Sequence, residues 1–265
     1  MRKILLESKN MHYKYKKEYY DKTLLNNEFS EANKDIIGHK YPENMVKIQE
    51  IFANDSKVSS FSLYTMYPGL LLGIGELHET GIKEEIQGGF SFDYVTGLPV
   101  IMGSTLKGML RSYFESSNDE IKNQKQKMIR DKLGKNESFS VDNLMVDIFE
   151  HNDVFLGGYP ICKDEEIFSL DYITPHVDQK TNKINLLKGP NVIKLLKVRP
   201  GIEFQFFFIL NDYMVEDKES GKRITLVTKE EKKNLFKKLL LFGGIGAKTN
   251  VGFGQFGEKK DTTSQ

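Results

Sequence analysis

Apolar residues along this chain fall into short runs whose spacing switches between strand-like alternation and the three-to-four-residue step of a helix. Residues 1–58 are rich in Lys, Asn, Glu and Tyr. Their scattered apolar positions (Leu24, Leu25, Ile36, Ile37, Val46, Ile48, Ile51, Phe52) predict a mainly helical N-terminal extension. Pro68-Gly69-Leu70-Leu71-Leu72-Gly73-Ile74-Gly75 is a short apolar run that predicts a buried strand, with glycines marking a bulge or a close backbone. An extended stretch, residues 97–103, leads to Ser104 or Thr105 as a helix N-cap. Behind it Leu106, Met109, Leu110, Tyr113 and Phe114 form the buried stripe of a helix, with Lys107 and Arg111 on the other face.

Residues 117–150 begin highly charged and predict a helical insertion, and residues 154–161 a second strand. In residues 172–199, Thr174-Pro175-His176 and Gly189-Pro190 flank a polar tip around Lys180, which predicts an excursion or hairpin leaving the main sheet. Phe204, Phe206, Phe208 and Leu210 alternate in a third strand. Thr228-Lys229-Glu230-Glu231 is a capping box opening a helix with Leu235, Phe236, Leu239, Leu240 and Phe242 inward. Gly243-Gly244 stops that helix, residues 251–256 form a last short strand, and residues 258–265 are a polar tail. The order is a βαββαβ string. The expected fold is α+β: a ferredoxin-like (RRM-like) core over residues 59–257, with the N-terminal extension and insertions at about 117–150 and 172–199.

Composition narrows the chemistry. A hydrophobic share of 39% and a charged share of 28% over 265 residues describe a globule with a sizeable core. Lys+Arg 38 against Asp+Glu 37 leaves a formal net charge of +1, so no global basic field signals nucleic acid. Cys162 stands alone, which excludes a disulfide framework and a Cys-based zinc site and fits the cytoplasm. No apolar run approaches the roughly 18 residues of a membrane span, so no membrane partner is expected.

Locally the picture differs. Residues 94–114 carry Lys107 and Arg111 and no acid, and residues 232–257 hold five lysines and no acid. Two glycine-bounded basic segments result. Gly103-Ser104-Thr105-Leu106-Lys107-Gly108-Met109-Leu110-Arg111 is one, and Gly243-Gly244-Ile245-Gly246-Ala247-Lys248-Thr249-Asn250-Val251-Gly252-Phe253-Gly254 is the other. Each joins backbone N–H groups, hydroxyls and a lysine, the chemistry of phosphate-backbone contact.

Literal nucleotide motifs fail on context. Residues 252–257 fit G-x-G-x-x-G, but too little chain follows for the helix and distal acid a dinucleotide site requires. Gly246-Ala247-Lys248-Thr249 resembles the end of a Walker A loop, yet alanine separates glycine from lysine and the segment follows a helix instead of preceding one. His12, His39, His78, His151 and His176 show no metal-ligand spacing, and no cofactor is expected.

Leu98-Pro99-Val100-Ile101-Met102-Gly103-Ser104-Thr105-Leu106-Lys107-Gly108, with Arg111 beyond, resembles the signature of the RAMP superfamily, in which Met102 takes the place of a usual proline and Thr105 that of a serine. Residues 243–254 resemble the glycine-rich loop that closes these CRISPR RNA-binding or RNA-processing proteins, which have ferredoxin-like cores. Leu77-His78-Glu79-Thr80-Gly81, Asp171-Tyr172-Ile173-Thr174-Pro175-His176 and Gly189-Pro190-Asn191 are similar to the subunit-six branch of type III-B Cmr complexes. That resemblance implies a non-catalytic subunit ending the complex backbone near the guide RNA 3′ end. Its partners would be guide RNA, target RNA, a backbone RAMP subunit, a small helical subunit and a terminal RAMP subunit. The excursion at 172–199 would be a thumb-like element.

The expected RNA contacts are Lys107, Arg111 and Lys248 to phosphates, Gly103, Ser104, Thr105, Gly243, Gly244, Gly246 and Thr249 beside them, and His176 and Lys180 near the thumb. A metal-independent endoribonuclease is the alternative, with His39, His78 or His176 as general base. A pure assembly protein without RNA contact is a third class.

Overall fold

A computed structural model describes residues 10–26, 29–41, 48–53, 55–73, 85–87, 89–162, 164–173, 192–217 and 221–258. The N-terminal region is helical: α1 (Met11–Tyr13) runs through a π-helical turn into α2 (Tyr19–Asn26), followed by α3 (Phe29–Ile37) and α4 (Ile48–Ala53). Then come β1 (Val58–Thr65), α5 (Gly103–Arg111), α6 (Asp119–Leu133), α7 (Val141–Val146) and β2 (Val154–Pro160). A hairpin of β3 (Phe168–Ile173) and β4 (Ile193–Val198), β5 (Glu203–Ile209) and a second hairpin of β6 (Tyr213–Glu216) and β7 (Arg223–Val227) follow. The described chain closes with α8 (Lys229–Gly243) and β8 (Phe256–Gly257).

The main sheet has four antiparallel strands in the order β2-β5-β1-β8. Alternation in β5 explains its central place. Phe204, Phe206 and Phe208 are buried on the face that α8 covers, where Phe236 lies 5.5 Å from Phe208 and 5.7 Å from Phe155. Phe207 is buried on the opposite face against Phe52 of α4, ring centroids 4.7 Å apart. Each fully buried phenylalanine contributes about 1.5–3 kcal/mol, so two aromatic faces on one strand hold both helical layers to the sheet.

The N-terminal helices share this core. Met11, Tyr15 and Tyr19 recur every four residues and are buried. Asn10 caps α1 through Tyr13 N–H and donates from its amide to the carbonyls of Tyr94 and Val95. Tyr41 Oη donates to Gly97 O at 2.8 Å, so the extension is fastened to the stretch that leads into α5.

A buried charge cluster seats α8. Lys232 is fully buried, its Nζ 2.7 Å from Asp147 and 2.8 Å from Asp153. Burial raises the Asp153 carboxyl above its ordinary range, while Lys232 and the Asn211 amide pull it back. The Thr228–Glu231 capping box is present at the start of the helix.

Several expectations are corrected. The first strand is β1, ten positions before the expected start at 68; among the described residues 68–73 Leu70 makes only a bridge to Val198, although Leu70, Leu71 and Leu72 are all buried. Met102, in extended conformation, stands where Ser104 or Thr105 was expected as N-cap, because Ile101 is still paired with Gly158 of β2 and the helix begins at once afterwards. The last strand shrinks to two residues, since residues 249–251 form a 3₁₀ turn. Phe242 is 65% exposed rather than inward.

Candidate nucleic-acid interface

The first basic segment is built on the β2 edge of the sheet. Ile101 and Gly158 exchange backbone hydrogen bonds of 2.9 and 2.8 Å, which carries the chain along β2 to the helix start. A Cβ on Gly103 would fall 1.9 Å from the Phe155 carbonyl oxygen, so only glycine lets α5 begin there. The first turn of any helix leaves its N–H groups without intrahelical acceptors, and here the turn is Gly103, Ser104 and Thr105, with both hydroxyl residues exposed. A cavity of about 420 Å³ opens at this end, lined by His12, residues 90–94, Val100, Met102, Gly103 and Tyr159.

The cations of this helix have different fates. Lys107, one turn along from Gly103, is half-buried and has no carboxylate partner among the described residues. Arg111 is held by Glu115 at 2.9 Å and Glu150 at 2.6 Å. Those carboxylates already relieve the Lys107–Arg111 repulsion, which removes the need for an outside anion there.

The second segment lies toward the opposite edge, where β8 pairs with β1. Gly244 N–H donates to Leu240 O, Ile245 N–H to Gly254 O, Ala247 N–H to Leu71 O and Gly254 N–H to Gly69 O. Gly246, at φ +107, turns the chain over Leu71 in a conformation L side chains rarely adopt. Gly243 ends the helix with the Tyr113 hydroxyl in the space a side chain would fill, and the Gly244 amide is already bonded.

Gly246, Lys248 and Thr249 remain as donors without a backbone acceptor among the described residues. Lys248 adopts the left-handed conformation, φ 58 and ψ 35, and its carbonyl accepts from Val251 and Phe253. The other lysines of residues 232–257 are engaged. Lys232 is in the buried cluster, Lys233 meets Glu230, Lys237 meets Glu258, and Lys238 donates to the Lys132 carbonyl. Lys248 is the one cation of this stretch with no such partner among the described residues.

The two segments touch through their far sides, since Tyr113 follows α5 and packs on Gly243 at the end of α8. Their anchoring strands are the two edges of the sheet, about 14 Å apart at the usual strand spacing. The two segments thus flank one sheet.

His78, His176, Lys180 and the tip of the 172–199 excursion lie outside the described residues. The base of that excursion is the β3–β4 hairpin. His39 is buried, and its imidazole is pushed down to about 4 by burial and then by Lys14. Burial, with Glu165, pushes the Cys162 thiol up to about 12, which keeps it protonated. Among the described residues no group of three or more His, Cys, Asp or Glu could hold a metal ion, and no helix is long and apolar enough to cross a membrane. Asp93, Tyr94 and Tyr159, at the mouth of α5, were not among the residues singled out from sequence, and His12 was named there only for its lack of metal-ligand spacing. The available signal was the alternation of Phe90, Phe92 and Tyr94 with Ser91 and Asp93.

The family model described as RAMP superfamily matches residues 63–257. A curated protein of Saccharolobus solfataricus, "CRISPR system CMR subunit Cmr6", is 29% identical over 168 residues, which is 63% of this chain and 48% of that protein. The chain thus aligns with about half the length of that relative. Among solved structures, a chain of "Cryo-EM structure of the Type III-B Cmr-beta bound to cognate target RNA" is similar over 88% of this chain and 71% of its own, with a TM-score of 0.56 and 22% identity. "Crystal structure of Cmr6 from Pyrococcus furiosus" is similar over 76% of this chain and 97% of its own, with a TM-score of 0.43 and 21% identity.

Proposed function

This chain belongs to the RAMP superfamily, and from that premise we propose that it is a non-catalytic, RNA-binding subunit of a cytoplasmic type III-B CRISPR (Cmr) effector complex. It would end the complex backbone near the guide 3′ end and contact guide RNA, target RNA and neighbouring subunits in antiviral defence. The observation that carries this reading is that the family match encloses both basic glycine segments, each of which keeps one lysine free of carboxylates among the described residues.

The core is best read as ferredoxin-like. One helix of the sheet's helical face, α5, separates β1 from β2, and α8 lies between β5 and β8; the order β8-β1-β5-β2 supports that reading. We assign residues 1–58 to the extension, 59–257 to the RAMP domain and 258–265 to the tail.

In this reading Lys107 and Lys248 meet phosphates, and the amides of Gly103, Ser104, Thr105, Gly246 and Thr249 complete the contacts. His176 and Lys180 act from the thumb-like excursion. Arg111 serves mainly to hold Glu115 and Glu150 beside the helix. Sequence is read by guide–target pairing, so the protein is indifferent to base identity. The test is the Lys107→Ala/Lys248→Ala double variant with single-stranded RNAs of unrelated sequence. Affinity should fall for all of them, and the salt slope should drop by about 1.4, at about 0.7 per lost contact. An unchanged slope would overturn the phosphate contacts.

A further inference from the structure

We propose that the cavity in front of α5 receives one unstacked nucleobase of the bound RNA strand, clasped between Tyr94 and the wall behind it. This rests on the RNA-binding reading above and adds to it a base site distinct from the phosphate contacts. At about 420 Å³ the cavity falls within the range of small-ligand sites. Its borders are flat: the rings of Phe90, Phe92, Tyr94, Tyr159 and His12. Phe90 and Phe92 are buried and form a fixed back wall, whereas Tyr94 is 78% exposed and meets His12 edge-on at 5.1 Å. A tyrosine this exposed, held at its backbone carbonyl by the Asn10 amide and at its ring only by the edge-on contact with His12, is a ready stacking platform.

The polar groups choose between occupants. The lining contains Asp93 and no lysine or arginine, so a phosphate inside would face a carboxylate without a cation. A base edge suits it better. Asp93 Oδ1 accepts from Thr96 N–H at 2.7 Å and Thr96 Oγ1 at 2.6 Å, which fixes the carboxylate. His12 Nδ1 is buried with no hydrogen-bond partner and lies out of reach of the cavity, so His12 offers the base its ring alone. Gly103 borders the cavity, and Lys107 follows one helical turn later. The attached phosphate would then lie at the α5 amides and Lys107 while its base enters the cavity. Stacking tolerates every base, which agrees with guide-directed specificity.

The experiment uses the full chain and a short single-stranded RNA carrying 2-aminopurine at successive positions. One position should be quenched on binding. Tyr94→Ala should abolish that quench and weaken binding about tenfold with the salt slope unchanged, and Tyr94→Phe should retain both. His12→Ala should also weaken the quench. If RNA binds but Tyr94→Ala and His12→Ala leave quench and affinity untouched, the base site is wrong and the phosphate reading stands. If the unaltered chain binds none of these RNAs at low salt, the RNA-binding reading fails and the base site with it.

Discussion

At Gly103 a missing side chain lets a helix start against the carbonyl of Phe155, and Gly103 itself borders a cavity at that helix end. Across the sheet, in residues 244–254, glycines let a loop fold upon itself, and the amides of Gly244, Ile245, Ala247 and Gly254 are bonded within the chain. The two segments look alike in sequence and share a composition of glycine, hydroxyl and lysine. They differ in what remains for a ligand: a helix N-terminus with Lys107 in one, and chiefly a strained Lys248 with a few amides in the other. Glycine content therefore reports close backbone approach at both sites, and only the remaining donors report binding.

The strongest way to break the comparison is to unseat α8, which delivers the second segment. Lys232→Met removes the cation from between Asp147 and Asp153 and leaves two carboxylates buried together. We expect a loss of about 3–5 kcal/mol by urea unfolding at neutral pH. Burial already raises the Asp153 carboxyl above its ordinary value, and without Lys232 the cation that pulls it back is gone. The folded state then binds more protons, so the deficit should shrink as pH falls toward 4. A loss under 1 kcal/mol would mean that α8 does not depend on the cluster.

Next come the glycines themselves. Gly103→Ala should cost about 2–3 kcal/mol because the clash is with backbone, and Gly246→Ala about as much, from its positive φ and a Cβ 2.6 Å from Leu71 O. Gly108→Ala, in the same helix as Gly103 with nothing within 4 Å, should instead stabilise by about 0.5–1 kcal/mol. Equal melting points for the Gly103 and Gly108 variants would overturn the packing account of the first segment.

Acid should separate the surroundings of the two segments. His39 belongs to the helical extension that walls the first one, and its folded pKa of about 4 lies below the ordinary 6.5. The folded state therefore binds fewer protons, and the stability present above about pH 6.5 is lost progressively as pH falls toward 4. His39→Phe should flatten that decline in urea midpoints between pH 7 and 5. A decline of equal steepness in the variant would assign it to other groups.

Local signals carried much of the fold. The Thr228–Glu231 box, the Phe204–Phe206–Phe208 alternation and the stripe of Leu106 and Leu110 each identify their element because local geometry and burial agree there. β1 escaped notice because Ser59, Ser60 and Ser62 dilute its pattern; its partner β5 supplies the apolar surface. Leu70–Leu72 resemble a strand because they are buried against the β3–β4 hairpin and the closing loop, Leu71 packing with Leu195 of β4 and with Phe253. Charge was the least legible quantity. The acid-free stretch 232–257 is answered by Asp147, Asp153 and Glu258, and Arg111 by Glu150, all placed by the fold rather than by sequence proximity.

The smallest effect tests the second segment most directly. Lys248 occupies a backbone conformation that costs a lysine about 1 kcal/mol relative to glycine, in a loop where glycine stands at four other positive-φ positions. If the residue served only the turn, Lys248→Gly would be an improvement in every respect. If the side chain serves RNA, Lys248→Gly should raise unfolding stability by up to about 1 kcal/mol and still weaken RNA binding, with a salt slope lower by about 0.7. Lys248→Ala should lose the same slope without the gain in stability, since alanine keeps the strain and removes only the charge. Lys248→Arg should preserve the slope. A glycine variant that is more stable and binds RNA with the wild-type slope would leave Lys107 and the α5 amides as the sole phosphate site, making the resemblance between the two segments one of backbone packing alone.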